Sequence, residues 1–249
     1  MTLEVVVYNI ESALRAIDGG ADRLEVCADP GAGGCTPSPG TVEVIRQNSG
    51  IDVYAMLRPR AGDFLYTSYE FHAMKRDLSH FQRLSVDGVV FGILTEDGHI
   101  DKKRCAELIQ RARPLKVTCH RAFDRTVDPF AALEDCIEVG FDRILTSGQR
   151  NTAIEGVELI GKLCEKAAGR ISIMAGSGVN ENNVKEIVAS TGIQEIHFSA
   201  ATYRPSAMSA QNTAIHSMGS DTVTEFNVRT VDSEKIRIIR SLTESIGRR

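Results

Sequence analysis

The chain has 249 residues, 42% hydrophobic and 25% charged, proportions that argue against a disordered, collagen-like or low-complexity protein. Its 29 basic and 33 acidic residues leave a net charge of −4 with no basic block, which speaks against a nucleic-acid or anionic-membrane surface. No apolar run approaches the ~18–20 residues needed to span a bilayer, and Met1-Thr2-Leu3-Glu4 lacks the basic and apolar regions of a signal, so a cytoplasmic protein is expected.

In chain order, eight short runs rich in β-branched residues alternate with amphipathic stretches. The predicted strands are 3–8, 23–28, 52–58, 88–94, 115–120, 143–147, 171–176 and 194–199. Asp128-Pro129 supplies a cap and a first-turn proline for a helix over 130–139; Asn180 opens one over 181–190, and Asp232 one over 233–246. Gly19-Gly20, Gly50, Gly140, Gly169 and Gly192 close helices or lead into the next strand.

An internal echo chooses between an open sheet and a closed barrel. Gly20-Ala21-Asp22-Arg23-Leu24 returns as Gly140-Phe141-Asp142-Arg143-Ile144, with a weaker Val86-Asp87-Gly88 between them. A two-unit module repeated around a ring predicts an α/β fold, a single (β/α)8 TIM-barrel domain over 1–249. The polar stretch 201–231 breaks the rhythm and reads as an elaborated segment after the eighth strand: a lid, an oligomer contact or a disordered excursion.

Strand parity fixes what faces the barrel interior, because the face against the outer helices must be apolar. It turns Glu4, Val6 and Tyr8, then Arg23, Glu25 and Cys27, then Tyr54, Met56 and Arg58 inward. Later strands contribute Gly92, Thr118 and His120, Leu145 and Ser147, Ser172, Met174 and Gly176, and Glu195, His197 and Ser199. Arg23 and Glu195 fall low and read as a structural charge layer, whereas Arg58, His120 and Ser199 come late, where barrel enzymes carry their chemistry. Buried charges demand partners, so an Arg58–Glu25 or Arg58–Glu4 pair is expected. The interior is either a satisfied salt network or an anion-selecting pocket with titratable histidines.

The loops at that end narrow the chemistry. Arg58-Pro59-Arg60 is a stiff fork suited to carboxylate or phosphate, unless Arg60 simply pairs with Asp63. His120-Arg121-Ala122-Phe123-Asp124 offers a histidine, an arginine and a carboxylate within five residues. Thr146-Ser147-Gly148-Gln149 and Ala175-Gly176-Ser177-Gly178 present backbone donors at the usual phosphate end of a barrel. Gly31-Ala32-Gly33-Gly34 either adds donors or is a structural turn. Six cysteines at 27, 35, 105, 119, 136 and 164 form no Cys-x-x-Cys pair and read as reduced thiols. The inward Cys27, Met56 and Met174 are ordinary core fillers or a set of soft donors of the kind that suits Cu(I).

The ordered motifs Glu4 with 11–13, Gly-Ala-Asp-Arg (20–23) with Glu25 and Cys27, Gly-Gly-x-Thr-Pro-Ser (33–38), Arg-Pro-Arg-x-Gly-Asp-Phe (58–64) and Thr-Glu-Asp-Gly-His-Ile-Asp (95–101) continue through His-Arg-Ala-Phe-Asp (120–124), Leu-Thr-Ser-Gly (145–148) and His197 with Ser199-Ala200. Together they resemble the CutC copper-homeostasis family over about residues 3–200. The resemblance implies a cytoplasmic TIM barrel, usually a homo-oligomer, associated with copper tolerance or Cu(I) binding. Of the cysteine pair proposed for copper in that family, Cys27 matches one member and Val6 stands in place of the other, so a site here would draw on Met56, Met174 or His120.

Two main functions follow, with a non-catalytic small-molecule-binding scaffold as a third. One is a Cu(I)-handling protein with Cys27 as the principal ligand. The other is an enzyme of lyase or isomerase type acting on a small anionic metabolite such as a sugar phosphate. Its expected catalytic set is Glu25, His120, Asp124 and Arg58, with Asp124 orienting His120. Its expected substrate-binding set is Glu4, Arg60, Arg121, Ser147, Gly176, Gly178, His197 and Ser199.

Overall fold

Eight parallel strands hydrogen-bond in chain order and close on themselves, β1 (Thr2–Val7), β2 (Arg23–Val26), β3 (Asp52–Met56), β4 (Gly88–Phe91), β5 (Lys116–Cys119), β6 (Arg143–Thr146), β7 (Ser172–Ala175) and β8 (Glu195–Phe198), with β8 pairing back onto β1. The computed structural model describes residues 1–210, 212, 214 and 225–244. Around the strands run α1 (Ile10–Asp18), α2 (Pro39–Gln47), α3 (Ser68–Arg83), α4 (Lys102–Ala112), α5 (Pro129–Val139), α6 (Val157–Ala167), α7 (Val184–Thr191) and α8 (Ser233–Glu244). This is the expected (β/α)8 barrel. Every strand except the first residue of β1 lies inside its predicted range.

The sequence echo has a physical cause. Asp22, Asp87 and Asp142 precede β2, β4 and β6, and each carboxylate accepts the N–H of a residue in the strand before it. Asp22 takes Leu3 at 2.7 Å, Asp87 takes Val53 at 2.9 Å and Asp142 takes Val117 at 2.9 Å. A donor at the bottom of each odd strand is thereby satisfied by a side chain on the following even strand.

Two expectations are corrected at element level. The helix predicted over 181–190 begins only at Val184, because Asn180 accepts the Asn182 N–H at 2.9 Å in a turn ahead of it. Within 201–231, both flanks are strands, β9 (Ala201–Pro205) and β10 (Asn227–Val231), paired antiparallel. The ribbon is tied to the entry of α1: Asn9 donates to Arg229 O at 2.8 Å, and Arg204 pairs with Glu11 at 2.7 Å. Residues 211, 213 and 215–224 of the expected elaboration, and the end of the helix predicted to reach 246, lie outside the described residues.

The apolar core fills the shell between strands and helices. Leu3, Leu24, Phe91, Met74, Phe81, Leu108 and Leu133 are fully buried there, each side chain contributing about 1.5–3 kcal/mol. Among the described residues no helix is long and apolar enough to cross a membrane. The barrel interior, by contrast, is charged.

Candidate functional site

Low in the barrel, two arginines and two glutamates neutralise one another. Arg23 donates to both Glu4 and Glu195, and Arg143 clamps Glu195 through Nε at 2.5 Å and Nη2 at 3.1 Å. Ser172 donates to Glu195 at 2.7 Å, Arg143 also reaches Thr118 at 3.2 Å, and both guanidiniums lie over the Tyr54 ring at 5.0 and 5.6 Å. Burial pushes the Glu195 carboxyl up, but the Arg143 bonds outweigh it and bring it down to about 2. The expected charge layer of Arg23 and Glu195 is present. Arg143 completes it, and its signal was the same Gly-x-Asp-Arg echo that carries Arg23.

One level up, His197 Nε2 lies 2.9 Å from Glu25 Oε2 and 4.0 Å from Glu4 Oε1. Burial disfavours charge on both Glu25 and His197, yet each holds the other ionised, so the carboxyl is lowered and the imidazole raised. Opposite stands His120, buried, with the Phe64 ring 4.9 Å away. Its Nδ1 accepts the Ala122 N–H at 3.2 Å, which in the neutral ring places the proton on Nε2. Burial first, and then the Arg58 charge, push His120 down to about 4. Among the described residues, His120 Nε2, Glu25 Oε1 and Glu4 Oε1 have no hydrogen-bond partner.

Glu25, His120 and His197 share a cavity of about 90 Å³ with Val6, Tyr8, Met56, Arg58 and Leu145. Above it opens a vestibule of about 650 Å³ whose lining includes Arg58, Arg121, Arg125 and Arg150. Two glycines make room for the histidines. A Cβ on Gly92 would stand 2.8 Å from His120 Nδ1, and one on Gly176 3.2 Å from His197 Cβ and 2.5 Å from Leu145. Gly92→Ala is therefore expected to cost about 1–3 kcal/mol through overpacking, read from the urea midpoint; an unchanged midpoint would show that His120 yields freely.

Several expected roles are corrected. Arg58 forms no ion pair with Glu25 or Glu4: Nη1 donates to Ala32 O and Gly34 O at 2.7 and 2.9 Å, and Nη2 to Gly62 O at 3.0 Å. It pins two loops over the barrel mouth while its charge faces both cavities. Arg60 is consumed by Asp63 of its own loop at 2.8 Å and by Glu70 in the first turn of α3 at 2.6 Å, and lines neither cavity. Asp124 does not bond to His120. Its carboxylate instead gathers Arg121 Nε, Thr146 Oγ1, and the N–H groups of Ser147 and Gln149 at 2.5–3.2 Å. Arg121 extends this knot to Ser147 Oγ at 2.7 Å and Ser177 Oγ at 3.2 Å, so the loops after β5, β6 and β7 are held as one rim. Gly178 and Ser199 line a different groove of about 260 Å³, beside Lys235 of α8. Glu4 lies beneath the pocket, bonded to Arg23, as a carboxylate rather than an anion receptor.

The soft donors divide. Cys27 and Met56 pack together, with Cys27 Sγ 3.1 Å and Met56 Cε 3.7 Å from where a Cβ on Gly34 would stand. Met174 instead meets Arg23 Nη2 through its sulfur at 3.5 Å, in the charge layer. Burial, reinforced by Glu25 whose carboxylate accepts from the thiol at 3.7 Å, pushes Cys27 well above the ordinary thiol range. Val6 lies in the same apolar cluster as Cys27 and Met56, and the nearby Cys35 thiol acts on Cys27 in the same upward direction.

The CutC family model matches residues 1–202. A human protein named copper homeostasis protein cutC homolog is 44% identical over 98% of this chain and 89% of its own length. A family protein CutC of Parabacteroides distasonis is 47% identical over 94% and 97%. The crystal structure of a copper homeostasis protein CutC from Streptococcus agalactiae superimposes with a TM-score of 0.76 at 33% identity, covering 79% of this chain and 97% of that one. Thiamine phosphate pyrophosphorylase of Pyrococcus furiosus, with a TM-score of 0.60 and 15% identity, shares the fold alone. On the family model and these identities, the chain belongs to the CutC family.

Proposed function

We propose that the protein is an enzyme that moves a proton within a small anionic metabolite, in the manner of a lyase or isomerase, with sugars and sugar phosphates as the fitting substrate class. The observation that carries this reading is a pair of buried, unpartnered atoms of opposite character at one cavity, the acceptor Glu25 Oε1 and the donor His120 Nε2. A free acceptor takes the proton from a carbon next to a carbonyl. A neutral imidazole N–H then stabilises the oxygen on which charge develops. Arg58, which has no carboxylate partner among the described residues, favours an anionic substrate in both cavities, and the rim knotted by Asp124 aims Arg121 into the vestibule. The inner cavity admits little more than the reacting carbons, and the vestibule holds the rest.

The test is hydrogen exchange. A panel of phosphorylated and carboxylated sugars is incubated with the protein in D2O and read by mass spectrometry. At least one compound is expected to gain deuterium at carbon with the native protein and none with Glu25→Gln; absence of exchange across the panel overturns the reading.

A second reading, Cu(I) as cargo, is favoured by the placing of Cys27 and Met56 in one apolar cluster and by the copper-homeostasis names of relatives. All six cysteines are free, which suits the reducing cytoplasm that this reading requires. An anaerobic Cu(I) competition titration beside Cys27→Ser decides it. Weak binding indifferent to Cys27 is expected, and tight one-to-one binding lost in the variant would transfer the function to copper.

A further inference from the structure

We infer that Glu4, Glu25 and His197 form a binding site for a divalent first-row cation such as Mn²⁺ or Zn²⁺ at the floor of the barrel pocket. One donor atom from each residue lies within 4.8 Å of the others. The inference shares its pocket with the acid–base reading, but ion binding without substrate can fail while that reading survives.

Three observations carry it. First, Glu4 Oε1 is buried without a partner among the described residues, on a glutamate that is 0% exposed. An unmade bond on a buried carboxylate is costly, and a cation that takes the place of the proton between Glu25 Oε2 and His197 Nε2 is the natural partner for Glu4 Oε1, leaving Glu25 Oε1 free. Second, the spacing suits an ion. Tetrahedral bonds of about 2.1 Å separate donor atoms by about 3.4 Å, and the 2.9 Å and 4.0 Å from His197 Nε2 to Glu25 Oε2 and Glu4 Oε1 bracket that value. Third, the donors are already oriented. Arg23 holds the second oxygen of Glu4, and Gly176 leaves His197 its place against the wall of β7.

The donor chemistry sets the class of ion. Two carboxylates and an imidazole suit divalent manganese, zinc or iron, whereas Cu(I) prefers sulfur. Three protein ligands leave coordination positions free, and Glu25 and His197 both line the cavity, so those positions face the pocket. The site is thus separate in ligand type from the sulfur donors Cys27 and Met56.

The experiment titrates the metal-stripped full chain with Mn²⁺, followed by electron paramagnetic resonance and calorimetry, with Zn²⁺ as competitor. One Mn²⁺ per chain is expected, displaced by Zn²⁺, with nitrogen coupling from a single imidazole in the bound spectrum. Glu25→Gln and His197→Gln, checked for a cooperative melt, should weaken binding beyond the ~10–100-fold that loss of an outer partner costs. The nitrogen coupling reads the imidazole in the native protein, so the inference stays testable even where a variant fails to fold. Absence of saturable binding, binding without nitrogen coupling, or binding indifferent to Glu25→Gln overturns it.

Discussion

Arg23→Met is expected to lower the unfolding free energy by about 3–5 kcal/mol, the cost of leaving a buried charge without its partner. Arg23 is the bridge between Glu4, which is wholly buried, and Glu195, which is shared with Arg143. With the guanidinium gone, Glu195 keeps Arg143 and Ser172, whereas Glu4 loses the arginine that pairs it. The substituted thioether fills much of the volume, so the loss measured is chiefly electrostatic. Arg23→Lys keeps the charge but cannot span two carboxylates in one plane, and an intermediate cost is expected. The urea midpoint and slope measure both variants. The double variant Arg23→Met with Glu4→Gln should recover part of the loss, because the stranded charge has been removed. A cost below about 1 kcal/mol for Arg23→Met would mean that water reaches Glu4 and that the floor is not sealed.

That floor also shows what the sequence disclosed and what it withheld. The Gly-x-Asp echo disclosed the ring closure, because the aspartates must satisfy a strand donor at equivalent places in successive strand pairs. Alternation disclosed which side chains enter the barrel: Glu4, Glu25, His120 and His197 are inside because Leu3, Leu24, Cys119 and Ile196 face the helices. Partners were another matter. Parity says that Arg58 and Glu25 both enter, but not that Gly34 and Gly62 would offer their carbonyls to the arginine first. Nearness along the chain likewise tied Asp124 to His120, whereas the turn at Phe123–Arg125 aims the carboxylate at the backbone of the loop after β6. Loop geometry is set by many weak, non-local bonds, and none of them leaves a periodic trace in the sequence. The ribbon of β9 and β10 was hidden for the same reason. Its strands are short and half-exposed, without the apolar alternation that marks a buried strand.

Stability is expected to fall as the pH drops from about 6.5 toward 4, by about 3 kcal/mol in all, because His120 resists protonation in the folded chain. In the unfolded chain the imidazole titrates near its ordinary 6.5, whereas burial and the Arg58 charge bring it down to about 4 in the native state. Between those values the unfolded state binds the extra proton, so acid favours unfolding; above 6.5 the contribution is fully present. The groups that face the ring are Arg58 following β3, Glu25 of β2, the Phe64 ring and the Ala122 N–H; Glu25 and a hydrogen bond to the residue's own backbone favour the cation, and burial with the Arg58 charge outweighs them. About 1 kcal/mol of the loss falls between pH 6.5 and 5.5, before carboxylates begin to protonate in the unfolded chain. Urea unfolding across that window, native protein beside His120→Gln, isolates the effect, and the variant should flatten the slope. His197 cannot imitate it. Its imidazole is raised by Glu25 against the opposing pull of burial, so its contribution is present below 6.5 and is lost only as the pH rises through its elevated native value. An acid-side slope that survives His120→Gln would therefore place the rejected proton on some other group and remove the neutral donor from the proposed chemistry.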